Sequence, residues 1–219
     1  MTSTSTRQDL IVLVADRAMA AAIKSILGRP TSLQIRPVAL AVLIHPQRDP
    51  GVLRHAHDFL RPFVGKYEHA IAALDREGCG NEAQSREALE AEVENRLQRN
   101  GWGDRARAVV IDPELESWVW SDSPEIERVL GWAGRSPALR SWLTERGMLQ
   151  EGIVKPDRPK EAVEAALRFV RRPRSSAIYQ ELARSVSLRR CSDPAFAKLR
   201  RTLRDWFSVE TTPESEESR

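Results

Sequence analysis

Four short apolar runs, each bounded by polar or turn-forming residues, alternate with longer amphipathic segments in the first half of the chain. Such runs are typical of buried strands, and the segments between them have helical composition. The alternation predicts a parallel sheet with helices packed on its faces. Pro37 interrupts the second strand region, which makes it an edge strand or two pieces. The predicted strands cover 10–15, 33–44, 70–74 and 107–111, and the predicted helices between them cover 17–27, 52–64 and 81–100.

Beyond Trp120 no further strand pattern follows, and helix signals take over. Three Ser-Pro or Asp-Pro pairs, beginning at Ser123, Ser136 and Asp193, place a capping residue before a proline suited to the first helical turn. The predicted helices of this region cover 124–133, 137–146, 159–172, 175–186 and 194–206. The sequence therefore predicts a mainly parallel, four-stranded α/β domain followed by a helical region packed on it. The predicted divisions are a disordered N-terminus over 1–8, the α/β domain over 9–121, the helical region over 122–207 and a disordered acidic tail over 208–219.

Composition is ordinary for one soluble domain, or for one domain with a smaller appendage: 41% of the 219 residues are apolar and 30% are charged. We expect no membrane association, because no apolar run has the length of a membrane span and the N-terminus lacks a secretory pattern. Two cysteines, Cys79 and Cys191, fit a reducing compartment, and we expect a cytoplasmic protein. The chain has no glycine-rich Lys-Ser/Thr phosphate loop, so any use of ATP would require a partner.

Charge is unevenly distributed along the chain. Residues 155–204 contain fourteen Lys and Arg against five Asp and Glu, a net charge of +9, although the whole chain carries only +3. Such a segment can bind nucleic-acid phosphates or an acidic partner protein, but it can equally be the solvated face of amphipathic helices. The candidate nucleic-acid contacts are Arg171, Arg172, Arg189, Arg190, Lys198, Arg200 and Arg201.

Acidic residues follow three of the four predicted strands: Asp16 the first, Asp75 and Glu77 the third, and Asp112 with Glu116 the fourth. The carboxyl ends of parallel strands lie along one edge of a sheet, so these side chains can converge. Asp75 and Glu77 would share one face of an extended strand. Carboxylates held close together repel one another unless a cation lies between them, and hard oxygen ligands suit Mg²⁺.

The same acids have a simpler interpretation as turn formers and helix caps. Asp16 can cap the helix that begins at Arg17, and Asp112 followed by Pro113 is a natural cap and first-turn pair. A metal site is therefore predicted from the coincidence of acids at several strand ends, and not from any one of them.

Three segments together resemble a known family: Leu74-Asp75-Arg76-Glu77-Gly78, then Glu116-Ser117-Trp118, then Tyr179 through Cys191 to Phe196. They are similar to the Toprim fold of topoisomerases, primases and the overcoming-lysogenization-defect nucleases. The likeness is closer to the small stand-alone Toprim-like proteins of bacterial defence islands. The chain departs from that family at Val14-Ala15-Asp16, where the family has Val-Glu-Gly, and at Glu77, where true topoisomerases have Asp.

The resemblance implies phosphodiester hydrolysis or transfer assisted by Mg²⁺ or Mn²⁺. Asp75 and Glu77 would be direct metal ligands, and Asp16 would be a ligand or a general base. Glu116 and Asp112 would complete a second metal position. The expected partners are nucleic acid and other proteins of a defence system, including a separate ATPase.

Three functional hypotheses follow. The first is a metal-dependent nuclease of a bacterial anti-phage defence system. The second is a non-catalytic accessory or regulatory subunit of such a system that retains the fold, an alternative to which the Val14-Ala15-Asp16 departure contributes. The third is a nucleic-acid-binding module that uses the basic C-terminal helices.

Overall fold

The computed structural model describes residues 7–120 and 123–209, whose strands form a four-stranded sheet in the order β2-β1-β3-β4. Every neighbouring pair is parallel, so the predicted α/β class is confirmed. Residues 1–6 and 210–219, most of the two ends predicted to be disordered, lie outside the described residues. The strands are β1 (Gln8–Val14), β2 (Leu40–Ile44), β3 (Tyr67–Asp75) and β4 (Ala106–Ile111).

Helices cover the sheet and form the whole C-terminal region that follows β4. They begin and end close to the predicted bounds, because capping residues and prolines mark most of their ends. The helices are α1 (Arg17–Leu27), α2 (Pro30–Leu33), α3 (Arg48–Leu60), α4 (Arg86–Leu97), α5 (Glu125–Leu130), α6 (Leu139–Glu145), α7 (Pro159–Phe169), α8 (Ser176–Ser185) and α9 (Pro194–Phe207).

The segment predicted as a strand region over 33–44 contains a strand only at its end, where β2 lies at the edge of the sheet as predicted, and Leu33 belongs to the short helix α2. Pro30 occupies the first turn of α2, and Gln34 ends it with a left-handed backbone, φ 61°. Pro37 cannot donate a ladder hydrogen bond, and β2 begins three residues later at Leu40. The helix α3 also begins earlier than predicted, at Arg48 and not at Val52.

Strand β1 forms the centre of the core, and its residues from Leu10 to Val14 are fully buried. Burial on both faces explains why this strand is apolar throughout and does not alternate with polar residues. The helices α3 and α4 pack on each other and on β1, β3 and β4, whereas α1 packs against β2 and α8. Right-handed crossovers place α1 on one face of the sheet and α3 and α4 on the other. The chain therefore changes face between β1 and β3.

The outer edge of β4 is closed by side chains from α4. Glu94 accepts the backbone N–H of Ala108 at 2.9 Å, and Glu90 accepts that of Val110 at 3.1 Å. Lys198 of α9 donates to Glu90 at 3.0 Å and to Glu94 at 2.7 Å. These bonds occupy backbone donors that an uncovered edge strand would leave free, and the lysine compensates the charge of both glutamates.

Indole groups tie the segment after β4 to the C-terminal helices. Trp118 donates from its ring nitrogen to the carboxylate of Asp193 at 3.0 Å, and Trp120 donates to the carbonyl of Pro159 at 3.0 Å. Asp193 also caps α9 and pairs with Lys155 at 3.1 Å. The helical region is thus anchored to the sheet through hydrogen bonds as well as apolar packing.

In residues 7–120 and 123–209, none of the helices combines the length and apolar character that crossing a lipid bilayer requires.

Candidate functional site

The register of the sheet brings Asp16 and Asp75 to the same point. Val14 of β1 is paired with Ala73 of β3 at the carboxyl end of the two strands. Two residues after each of these positions the sequence has an aspartate, Asp16 after β1 and Asp75 at the end of β3. Because the chain changes face between β1 and β3, these residues lie at the crevice where open α/β sheets place their ligands.

Asp75 is the central residue of this site, and its Oδ1 atom is buried without a hydrogen-bond partner among the described residues. Burial, together with repulsion from Asp49, Glu116, Asp16 and Glu114, raises the pKa of Asp75 well above its ordinary value. We call these five residues the acid cluster. They place several negative charges around one buried carboxyl group, which favours a proton or a cation there.

Asp49 was not among the predicted site residues. It lies in the first turn of α3, and its Oδ1 accepts the backbone N–H of Asp75 at 2.8 Å. Burial raises the pKa of Asp49, although the hydrogen bond from Asp75 opposes that shift. The pair Asp49-Pro50 is a helix-start signal that could have revealed the turn, but nothing local in the sequence indicates that this turn meets β3.

Asp16 caps α1, as its simpler interpretation predicts. Its Oδ1 accepts the backbone N–H of Met19 at 2.8 Å, while its backbone remains extended. The cap fixes the direction of this carboxylate at the end of β1. It is also half-exposed, at the border between the acid cluster and solvent.

Glu116 is 1% exposed and lies in a short 3₁₀ turn after β4. Its Oε1 atom accepts from Arg174 at 2.6 Å and from the hydroxyl of Tyr179. Burial and the neighbouring Glu116 raise the pKa of Tyr179, which therefore remains a hydrogen-bond donor at neutral pH. The carboxylate predicted as a ligand of a second metal is thus compensated by groups of the C-terminal region.

Glu114 is similarly paired, two residues before Glu116. It accepts the backbone N–H of Lys160 at 2.9 Å and the ammonium group of the same residue at 3.3 Å. Burial and repulsion from Glu116 raise the pKa of Glu114, and Lys160 opposes that shift. Glu114 was not predicted as a site residue, because it lies in the Asp-Pro segment interpreted as a cap and first turn.

Two predicted ligands, Glu77 and Asp112, lie apart from the acid cluster. The strand ends at Asp75, so the alternation that would place Glu77 on the same face stops there, and Glu77 is exposed in the following turn. Asp112 is also exposed and pairs with Arg76 at 3.1 Å. Arg76 further donates to two carbonyl groups of the loop after β3, so this pair holds that loop.

The residues of the acid cluster suit Mg²⁺ only if waters or a phosphate supply the remaining ligands. In the described part of the chain, no three His, Cys, Asp or Glu side chains are arranged to bind one metal ion. Mg²⁺, however, usually binds one or two carboxylates together with waters and substrate phosphates. Asp75, with its unpartnered oxygen, and the adjoining Asp49 can supply that number. The chemistry of these donors therefore suits a divalent ion completed by a phosphate.

The predicted nucleic-acid contacts do not form one free basic surface. Lys198 pairs with the two glutamates at the β4 edge, and Arg172 donates to the carbonyl of Val129 and pairs with Glu181 at 3.8 Å. The side chain of Arg190 lies outside what the structure describes. The side chains of three exposed arginines have no hydrogen bond or ion pair among residues 7–120 and 123–209: Arg171, Arg189 and Arg201. Arg200 is half-buried and lies near Cys191.

No family model, curated protein or solved structure matches the chain.

Proposed function

We propose that this protein is a component of a bacterial anti-phage defence system that hydrolyses nucleic-acid phosphodiesters at the acid cluster with the help of Mg²⁺ or Mn²⁺. The defence role comes from the resemblance of its motifs to stand-alone Toprim-like proteins. One observation carries the chemistry: the buried Oδ1 of Asp75 has no donor among the described residues and is surrounded by other carboxylates. Among the described residues, the most deeply buried acids each pair with a lysine or an arginine: Glu90, Glu114, Glu116 and Asp193. Asp75 has no such partner, which favours a proton or an external cation there.

The residues of the cluster have different roles in this proposal. Asp75 and Asp49 would hold the divalent ion, which when bound polarises a phosphoryl oxygen and favours ionisation of water. Asp75 would lose its proton as the ion binds, because burial and the neighbouring carboxylates raise its pKa and the positive charge of the ion would oppose that shift. Asp16, fixed by its cap to α1, borders solvent and is placed to accept a hydrogen bond from an entering water or hydroxyl group. Glu116 remains bonded to Arg174 and orients that guanidinium group.

A nicking assay tests the proposal. Supercoiled plasmid is incubated with the full chain in Mg²⁺ or Mn²⁺, next to Asp75→Asn, Asp49→Asn and the matched control Asp58→Asn, an exposed aspartate on the same helix as Asp49. We expect nicking by the wild type and the control, and a loss of roughly a hundredfold or more in the two cluster variants. Equal nicking by all four proteins would show that the cluster is not the site. Loss of nicking in Glu77→Gln would return that residue to the site.

A non-catalytic accessory role is the second candidate, and the pairing of Glu116 favours it. Both donors on that carboxylate come from the C-terminal region, so a residue available for catalysis in the resemblance serves packing here. In this case the wild type does not nick plasmid in either metal. It would instead co-purify with a product of a neighbouring gene, and Asp75→Asn would co-purify to the same extent.

A further inference from the structure

A cleft of about 860 Å³ opens beside the acid cluster, at the carboxyl ends of β1 and β2. Asp16 belongs to both the cleft and the acid cluster, because it lines the cleft and contributes to the electrostatic environment of Asp75. The opposite wall is formed by the start of α8, including Ser175 and Ser176. Ligand sites for small molecules usually have roughly 300–1,000 Å³. The cleft therefore has room for a nucleotide unit.

Three arginines line this cleft: Arg17, Arg48 and Arg174. Arg17 and Arg48 are exposed, and the guanidinium group of neither makes an ion pair or hydrogen bond with another described residue. Arg174 is oriented by its bonds to Glu116 and to the Tyr179 hydroxyl. Asp16 is the carboxylate that lines the same cleft, so the arginines outnumber the acids there.

A second cleft, of about 410 Å³, shows that arginines at a cavity wall need not be available to a ligand. It is lined by Arg76 and Arg86, but the acids that neutralise them line it as well. Arg76 pairs with Asp112, and Arg86 pairs with Glu87 at 2.6 Å. The larger cleft differs because Arg17 and Arg48 are not neutralised in this way.

Apolar groups near the arginines complete the chemistry of the larger cleft. Ile44, at the end of β2, is 41% exposed, and Pro46 lies two residues further along the same wall. His45 between them is buried, and its Nδ1 accepts the backbone N–H of Gln47 at 3.1 Å. Burial lowers the pKa of His45, so this ring adds no charge at neutral pH. Exposed apolar surface beside free guanidinium groups suits a ligand with both a phosphate and a sugar or base.

We infer that this cleft binds the phosphate groups of a nucleic-acid strand through Arg17, Arg48 and Arg174. The guanidinium groups match phosphate oxygens in geometry and charge. The inference deepens the proposed function and rests on it for the substrate class, because a strand held there passes Asp16 and reaches the acid cluster. It assigns phosphate binding to the cleft between the carboxyl edge of the sheet and the start of α8, and not to the predicted contacts Arg189 and Arg201.

Binding is measured by fluorescence anisotropy of a short labelled single-stranded DNA in EDTA, with the full chain and with Arg17→Gln/Arg48→Gln. We expect affinity to fall roughly tenfold for each arginine removed. The slope of log affinity against log salt should decrease by about one for each phosphate that the variant no longer binds. Arg189→Gln/Arg201→Gln is the matched control, since it removes two exposed arginines outside the cleft and should bind like the wild type. Unchanged thermal unfolding checks that both variants are folded.

Competition distinguishes the sources of the phosphate. Displacement by unlabelled strand at much lower concentration than by a nucleoside monophosphate or inorganic phosphate supports a strand as the ligand. Equal displacement by the monophosphate would overturn the inference that a strand is the ligand and would indicate a mononucleotide site. Absence of binding by the wild type, or loss of binding only in the Arg189/Arg201 variant, would overturn the inference that the cleft binds phosphate groups. Because EDTA prevents metal-dependent cleavage, this experiment measures binding alone. Binding in the cleft, together with no nicking in the Mg²⁺ or Mn²⁺ assay, would contradict the proposed function and leave this inference intact.

Discussion

Glu90 and Asp75 are both acids at the border of the same sheet, but their surroundings are opposite. Glu90 is 4% exposed and accepts a backbone N–H of β4, with Lys198 and Arg86 both within 3.0 Å. Asp75 is surrounded by four other carboxyl groups, and no cation pairs with it among the described residues. An uncompensated buried charge is far less stable than a paired one. The comparison teaches that the chain neutralises Glu90, which holds the β4 edge, and leaves Asp75 without a cation among the described residues.

The largest expected effect on stability comes from removing a cation beside Glu90, so that its surroundings become more like those of Asp75. Lys198→Met removes the ammonium group that serves Glu90 and Glu94 and leaves two acids beside the β4 edge. We expect a loss of about 3 kcal/mol in the free energy of unfolding, since Glu94 then has no cation among the described residues and the buried Glu90 keeps only Arg86. Urea denaturation measures this loss.

Lys24→Met is the control for that substitution, because Lys24 is an exposed lysine on α1 without an ion pair among the described residues. Its unfolding free energy should change by no more than about 0.5 kcal/mol. If both variants lose the same stability, Lys198 does not compensate the glutamates.

A smaller loss is expected at Glu116, the cluster member that the C-terminal region neutralises. Glu116→Gln keeps the shape but removes the charge that Arg174 and Tyr179 bind. We expect a loss of about 2 kcal/mol for Glu116→Gln and about 1 kcal/mol for Tyr179→Phe, because Glu116→Gln weakens both bonds and leaves Arg174 without this ion pair, whereas Tyr179→Phe removes one bond. The double variant should lose less than the sum of the two. Additive losses would mean that the two groups do not interact.

Asp75→Asn should change the free energy of unfolding in the opposite direction. We expect it to stabilise the protein by about 1 kcal/mol at pH 7.5, because it removes a buried acid without a partner. The raised pKa means that the folded state holds this proton more tightly than the unfolded state does. Stability of the wild type therefore falls as the pH rises from the ordinary aspartate value, about 3.9, through the raised pKa. The advantage of Asp75→Asn should shrink towards pH 4, as measured by urea denaturation at several pH values. An advantage that does not depend on pH would contradict the assignment, and Asp58→Asn should show none.

The smallest effect is expected from the metal itself. At a concentration of Mg²⁺ equal to its dissociation constant, binding to the folded state stabilises by about 0.4 kcal/mol. The wild type should therefore show a small rise in melting temperature that increases with Mg²⁺, and Asp75→Asn should not. Equal shifts in both proteins would indicate binding of the ion elsewhere.

Most of the fold could be predicted because it depends on local signals. The apolar runs around Leu13 and Ala72 define buried strands, and the prolines at 194 and 159 mark helix starts that the structure contains. The error at 33–44 arose because Leu33 and Ile35 are apolar core residues of a turn, and their composition is also that of a strand.

The site was predictable only where it depends on strand ends. Asp16 and Asp75 meet because parallel register carries both strands to the same edge. Asp49 could not be found in this way, since its position depends on how α3 packs against β3. Glu77 was expected in the site because the strand was assumed to continue beyond Asp75. The pairing of Glu116 with Arg174 joins positions 58 residues apart, and no local pattern indicates it.

Between β4 and α5, every second residue from Glu114 to Trp120 reaches the C-terminal helices through a side-chain hydrogen bond. Of the residues between them, Leu115 and Val119 have apolar side chains, and the hydroxyl of Ser117 donates to the carbonyl of Asp112. Deleting a single residue here would therefore shift the alternation by one, and the side chains at all four positions would no longer face their hydrogen-bond partners. The length of this stretch is constrained more tightly than its composition, and a tag or an insertion is better tolerated almost anywhere on the exposed surface than in these seven residues.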